Sequence, residues 1–257
     1  MTASRPKVGV IIGGTHGIGL STASLLVAAG WEVLVTGRRT GPIQAAQQQL
    51  GPAAKVVQYD LTDLSSLSSL QTAIQQQFGP DSGSTPSIDL LFLNAGHAHL
   101  EPIAAVTEES FDTTFSTNVR GVFFTAQRLT TLVKDEGSIV FTTSVANQVG
   151  IPGMAVYSAA KAAVRSLTQT FAAELIPRRI RVNAVSPGFV KTPTMGITGS
   201  SDEELRGFEA EGVKMTPLGR IASSEEVAKV VVFVGVDGTF ITGAEIVVDG
   251  GLIPLRA

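Results

Sequence analysis

Val8-Gly9-Val10-Ile11-Ile12-Gly13-Gly14-Thr15-His16-Gly17-Ile18-Gly19 runs a short apolar stretch straight into a glycine-rich turn. The apolar part reads as a strand buried on both faces, and the residues from Ile18 to Ala29 then carry their apolar side chains at helical spacing. A strand that turns over glycine into a helix leaves free backbone N–H groups and the positive end of the helix dipole at the turn. Such a turn suits an anion, and the pyrophosphate of a dinucleotide in particular. The glycines follow the spacing G-x-x-x-G-x-G, not G-x-G-x-x-G, so a plain tight turn stays open as the alternative.

Outward from this stretch, the pattern repeats. Further short runs rich in Val, Ile, Leu and Phe lie at Glu32 to Thr36, Lys55 to Tyr59, Ile88 to Leu93, Ser138 to Thr142, Arg181 to Val185 and Glu245 to Val248. Helical spacing fills Leu64 to Phe78, Glu108 to Val133, Ala155 to Leu175 and Ser224 to Val234. This alternation predicts an α/β fold: a doubly wound, seven-stranded parallel sheet with helices on both faces. Two stretches read as loops, Gly79 to Ser87 and Lys191 to Ser201. With neither a repeat nor a linker, residues 1–257 read as one domain. Within it, 190–212 is the expected substrate lid, with Gly196 and Gly199 as hinges and an amphipathic stretch carrying Leu205 and Phe208.

Composition narrows the function. Nineteen basic against 22 acidic residues leave a formal charge of -3, too weak a field to gather nucleic acid or an anionic membrane. With no cysteine and only His16, His97 and His99, no metal site is expected, and thiol chemistry is excluded. Arg5 and Lys7 ahead of the first apolar run resemble a signal peptide only superficially, since the run is short and ends in glycine. No stretch approaches the roughly 18 apolar residues of a membrane span, so a soluble, cytoplasmic protein is expected.

Three further patterns carry chemistry. The second strand ends in Gly37-Arg38-Arg39 with no acidic residue. An acid there would accept from an adenosine 2′-hydroxyl, whereas arginines suit a 2′-phosphate, so the pattern favours NADP over NAD unless both arginines simply face solvent. His16 could add a donor to the same phosphate or stand exposed. Tyr157 precedes Lys161 by four residues, one helical turn, so an ammonium can sit beneath the phenol and lower its pKa for acid–base work. A packing tyrosine is the plain alternative. Ser144 ends the strand Ser138 to Thr142, on the side of a parallel sheet where ligands bind.

The ordered set resembles a single-domain member of the short-chain dehydrogenase/reductase superfamily over nearly the whole chain. Its landmarks are the glycine loop, Asp60, Asn94-Ala95-Gly96, Asn118, Ser144, Tyr157 with Lys161, Pro187-Gly188 and Asp249-Gly250-Gly251. The resemblance implies that Tyr157 exchanges a proton with the substrate oxygen and that Ser144 holds that oxygen. Lys161 would bind the nicotinamide ribose, and Asn118 a relay water. It implies cofactor contacts from Gly13, Thr15, His16, Gly17, Ile18 and Gly19, from Arg38 and Arg39, and from Asp60 and Leu61 at the adenine. Asn94, Ala95 and Gly96 would line the ribose, and Pro187, Gly188, Val190 and Thr192 would fix the nicotinamide. The implied cofactor is NADP(H) and the implied assembly a homotetramer. Two positions depart from the family: Ile12 replaces a threonine and Leu93 an asparagine. The two read as one joint replacement by an apolar contact.

The expected activity is reduction of a ketone or aldehyde. Val145, Val149, Ile151, Met154, Phe189 and Met195 surround the catalytic residues and point to a hydrophobic or aromatic substrate. Reduction of β-ketoacyl groups on a carrier protein, docked by Arg120, Arg128 or Arg165, is the rival within the enzyme class. A non-catalytic NADP(H)-responsive regulator is the rival outside it. Enoyl reduction uses a longer Tyr-to-Lys spacing in relatives, which this chain lacks.

Overall fold

The computed structural model describes residues 5–79, 87–197 and 201–255. Seven strands form a parallel sheet: β1 (Val8–Ile12), β2 (Glu32–Gly37), β3 (Ala54–Gln58), β4 (Ile88–Leu93), β5 (Val133–Thr142), β6 (Arg181–Pro187) and β9 (Glu245–Val248), in the order β3-β2-β1-β4-β5-β6-β9. The chain reverses its winding between β1 and β4. That reversal opens a crevice beyond the carboxyl ends of the strands. A short parallel pair, β7 (Val190–Lys191) and β8 (Ala222–Ser223), stands outside the main sheet.

Both sheet faces are covered. One face packs against α3 (Leu67–Phe78), α5 (Val122–Thr130) and α6 (Ala155–Leu175) through Leu70, Ile74, Leu129 and Val164. The other packs against α1 (Gly17–Ala28) and α8 (Ser224–Val232) through Leu26, Val227 and Val231. Double coverage explains why β1 and β4 are buried at every residue and read as apolar runs, broken only by Asp89, which accepts from the Val8 N–H at 2.8 Å. Fully buried Phe92 and Phe141 anchor opposite faces, each side chain contributing about 1.5–3 kcal/mol. Ile12 and Leu93 are register partners across β1 and β4, both buried in one cluster. The two departures from the family thus meet as neighbours.

Four expectations about elements change. The helix expected over Glu108 to Val133 is α4 (Glu108–Phe115), a π-helical turn at Ser116–Gly121, then α5; Val133 already belongs to β5. Val122, Ala126 and Leu129 are buried at helical spacing, and Val133 continues that rhythm by accident. β5 starts five residues earlier than expected. Ile88 pairs with Val133 and Leu90 with Ser138, so Lys134 to Gly137 bulge out between them, and a strand interrupted by charge and glycine reads as a turn. Helix α2 (Thr40–Leu50) was hidden by its Gly-Pro start and its glutamines, although proline in a first turn removes only an N–H that has no helical partner. Helix α7 (Asp202–Met215) replaces a short amphipathic stretch. Ser201 and Glu204 close a capping box at its start, a Ser-x-x-Glu signal present in the sequence. Residues 80–86 of the first expected loop and 198–200 of the second, including the hinge Gly199, lie outside the described residues.

Candidate active site

A cleft of about 350 Å³ runs along the carboxyl ends of β1, β2, β4, β5 and β6. At one end lies the glycine loop. Gly13 takes φ +82°, and a Cβ there would fall 2.6 Å from Ala95. The turn is held by its neighbours: the Gly13 N–H donates to Thr36 Oγ1 at 3.1 Å, and Asn94 Nδ2 donates to the Gly13 carbonyl at 2.7 Å. Thr142 Oγ1 donates to Asn94 Oδ1 at 3.1 Å, which ties the loop to β5. Thr36 and Thr142 had no motif to announce them.

Helix α1 starts at Gly17, and its cap residue His16 makes no side-chain cap. Gly17, Ile18, Thr15 and His16 line the cleft, so the first N–H groups of the helix are available to an anion. Arg38 and Arg39 are exposed on the same rim, and among the described residues neither is drawn into an ion pair. Burial, then the charge of Arg39, lowers the pKa of His16. Asp60, Leu61, Asn94, Ala95 and Gly96 continue the wall. The residues present fit a dinucleotide, with an uncapped helix end for its anionic part and two exposed guanidinium groups on the same rim.

The other end holds Ser144, Tyr157 and Lys161. Ser144 leaves β5, and its Oγ accepts from the Ala146 N–H at 3.2 Å. Its hydroxyl lies near enough to the Tyr157 phenol to favour the phenolate. Tyr157 and Lys161 share one face of α6, the ammonium 5.7 Å from the ring centroid, and Lys161 Nζ donates to the Thr142 carbonyl at 2.8 Å. Burial pushes the Tyr157 phenol up, opposed in part by the Ser144 hydroxyl, and lowers the Lys161 ammonium to about 8. The expected lowering of the phenol by the lysine is not found here. The ammonium is turned to the Thr142 carbonyl and the ring face, and desolvation outweighs it.

Asn118 and Gly19 lie behind the wall of the cleft. Asn118 sits fully buried on the π-helical turn, its Nδ2 donating to the His97 carbonyl at 2.7 Å and its Oδ1 accepting from the His97 N–H at 2.9 Å. Single π turns of this kind recur at functional sites. Gly96 makes room for it, since a Cβ there would fall 2.7 Å from Asn118 Oδ1 and 3.3 Å from Lys161 Nζ. Gly19 packs under the Gly13 carbonyl.

Pro187, Gly188, Val190 and Thr192 line the same cleft as the serine and tyrosine. Beyond them the lining is mostly apolar, with Val145, Ile151, Met154, Phe189 and Met195 joined by Ile197 and Phe208 and with Thr117 and Thr194 adding hydroxyls, whereas Val149 does not line the cleft. Phe208 of α7 rests on Phe189 at 5.1 Å, and an isolated bridge links Ala98 to Ile197 across the opening. His97 also lines the cleft, its pKa lowered by burial, then by Arg38, His99 and Lys161.

The family model described as enoyl-(acyl carrier protein) reductase matches residues 12–253. Oxidoreductase asL5 of Sarocladium schorii is 35% identical, over 96% of this chain and 95% of its own. The NADP-dependent (R)-specific alcohol dehydrogenase of Lentilactobacillus kefiri is 32% identical, over 96% of each. A crystal structure of 3-ketoacyl-(acyl-carrier-protein) reductase from Brucella melitensis, complexed with NADH, superposes with TM-score 0.84 at 26% identity, covering 96% of this chain and 98% of that one. The chain belongs to the short-chain dehydrogenase/reductase family. It is an oxidoreductase acting on CH–OH groups. No helix among the described residues is long and apolar enough to cross a membrane.

Proposed function

We propose that this member of the family reduces a hydrophobic or aromatic ketone or aldehyde to the alcohol, reversibly and with NADPH. The observation that carries the reading is the meeting of Ser144, Tyr157 and Lys161 in one cleft whose far rim presents Arg38 and Arg39. Bound NADPH would supply the hydride. The chain's own residues orient the carbonyl and handle the proton. Ser144 donates a hydrogen bond to the substrate oxygen and holds it against the phenol. Tyr157, kept protonated by burial, gives its proton to that oxygen as negative charge grows there. Lys161 holds the nicotinamide ribose and, charged, stabilises the phenolate left behind. Asn118, locked onto His97, backs a water that returns the proton from solvent.

On the cofactor side, Gly13, Thr15, His16, Gly17, Ile18 and Gly19 cradle the pyrophosphate. Asp60 and Leu61 meet the adenine, and Asn94 to Gly96 the ribose. Pro187, Gly188, Val190 and Thr192 fix the nicotinamide. Arg38 and Arg39 read the 2′-phosphate, a reading supported by the NADP dependence of the Lentilactobacillus relative. The segment 190–212 closes over the substrate through Phe208 and Ile197. A cytoplasmic homotetramer is the state in which we place the enzyme.

Reduction of a carrier-bound β-ketoacyl group is less well supported. Arg165 is engaged by Glu245, and Arg120 lies over the Phe124 ring, so two of the three arginines available to dock an acidic carrier are already occupied. Enoyl reduction fits less well still, because the phenol and ammonium stand one turn apart. A spectrophotometric screen of ketones, aldehydes and alcohols with both nicotinamide cofactors tests the proposal. Aryl and long-chain ketones should consume NADPH faster than sugars or β-ketoacyl thioesters do. Turnover confined to thioesters would overturn it.

A further inference from the structure

Behind the catalytic serine, one carboxylate gathers three distant pieces of chain. The side chain of Glu245, on β9, is only 7% exposed. It accepts from Asn147 Nδ2 at 2.7 Å and Gln148 Nε2 at 2.8 Å, and it pairs with Arg165 Nε at 3.2 Å. Asn147 closes the single 3-10 turn Val145–Asn147, whose cap residue is Ser144, and Gln148 follows directly. Arg165 stands one helical turn beyond Lys161 on α6 and two turns beyond Tyr157. The segment carrying the catalytic hydroxyl and the helix carrying the phenol and ammonium therefore share one buried anchor on the sheet edge.

A buried carboxylate is stable only where donors surround it, and all three donors here come from catalytic segments. An ionised carboxylate only accepts, so it obliges Asn147 to present its NH₂ group. Asn147 Oδ1 is left buried without a hydrogen-bond partner among the described residues. The amide thus forgoes one bond to keep the other. The tie to Glu245, not the local turn, sets its orientation.

We propose that Glu245 is a positioning residue: through Asn147 and Gln148 it fixes the turn that aims the Ser144 hydroxyl, and through Arg165 it locks that turn to α6. The inference rests on the proposed role of Ser144 in holding the substrate oxygen. A turn released from its anchor would let Ser144 leave the phenol, slowing the chemical step without disturbing the cofactor cradle across the cleft.

The test is a double-mutant cycle on the full chain, with kcat for ketone reduction and Kd for NADPH measured for each variant. Glu245→Ala should lower kcat by roughly ten- to a hundredfold, the scale of a small misplacement of a catalytic group. Kd should stay within about twofold of wild type, near the limit of additivity for separated sites. In a Ser144→Ala background the same substitution should lower kcat by less than about twofold, because the group it positions is gone. Glu245→Gln, which keeps an acceptor oxygen for Asn147, should recover most of the rate. Asn147→Ala should reproduce the loss without touching the strand, and it carries the test if Glu245→Ala does not fold. An equal fold loss in both backgrounds, or wild-type kcat in Glu245→Ala, overturns the inference. Wild-type kcat in Ser144→Ala itself would overturn the reading of Ser144 and the inference with it.

Discussion

Gly13 and Gly196 hold nearly the same backbone conformation, φ +82° and +81°, in opposite surroundings. A Cβ on Gly13 would fall 2.6 Å from the Ala95 backbone; a Cβ on Gly196 meets nothing within 4 Å. The first glycine belongs to the loop proposed to cradle the nucleotide, tied by hydrogen bonds to Thr36 of β2 and to Asn94 just after β4. The second belongs to the segment proposed to cover the substrate end, which touches the body through the Ala98–Ile197 bridge, the Phe189–Phe208 contact and the pairing of Val190–Lys191 with Ala222–Ser223. One glycine is packed on all sides, and the other stands open.

The largest expected effect breaks that contrast directly. Gly13→Ala adds a left-handed penalty of about 1–2 kcal/mol to an overpacking cost of about 1–3 kcal/mol, so urea unfolding should show a loss of roughly 2–5 kcal/mol. Gly196→Ala should show the backbone penalty alone, about 1–2 kcal/mol. Equal losses in the two variants would mean that the cradle yields as easily as the cover.

Next in size is Tyr157→Phe. It removes the hydroxyl and little else, so fold and NADPH affinity should survive while kcat falls at least ~10²-fold. A variant with more than half the wild-type rate would remove Tyr157 from the chemistry. The floor of the cleft, the part lined by Ser144, Tyr157 and Lys161, would then have no chemical role for its phenol.

A smaller effect separates the two ends of the cradle. A hydrogen bond to a charged group contributes about 1.5–3 kcal/mol, so one good contact from Arg38 or Arg39 should favour NADPH over NADH by on the order of tenfold or more. Replacing both with neutral residues should raise KM for NADPH sharply and leave that for NADH nearly unchanged. Added salt should weaken NADPH binding more than NADH binding, because both arginines are exposed. A wild-type preference for NADH would mean that neither guanidinium group meets the cofactor.

The cradle was the more legible half. The limits of β1 and β4 follow from runs buried on both faces, and those of β9 and α6 from their apolar spacing alone. Every expected cofactor residue except Gly19 lines the cleft, since strand ends bring distant motifs together whatever lies between them. What stayed hidden depends on long-range partners. The π turn under Asn118 needs the backbone of His97. The Glu245 anchor joins residues 97 and 98 positions apart, a separation that carries no periodic signal. The cover was least legible: α7 begins with a readable capping box, but its docking through Phe208 does not follow from spacing.

The smallest effect concerns the charge at the boundary between cradle and floor. Lys161 is 3% exposed, and burial lowers its ammonium from 10.5 to about 8. Between those values the unfolded chain binds a proton that the native protein has released, so stability rises with pH across that window. The penalty for burying the charge is fully present below pH 8 and is relieved as pH climbs toward 10.5. From pH 8 to pH 9 the wild type should therefore gain about 1 kcal/mol more than Lys161→Met, which keeps the stem and removes the titration. Urea midpoints at equal m-values measure the difference, and between pH 6 and pH 7 the two proteins should run parallel. If the wild-type-minus-variant difference is flat from pH 8 to pH 10, the Thr142 carbonyl and its surroundings hold the ammonium as well as water does. The boundary would then be as open to solvent as the cover, and Lys161 would face the phenolate fully charged at every working pH.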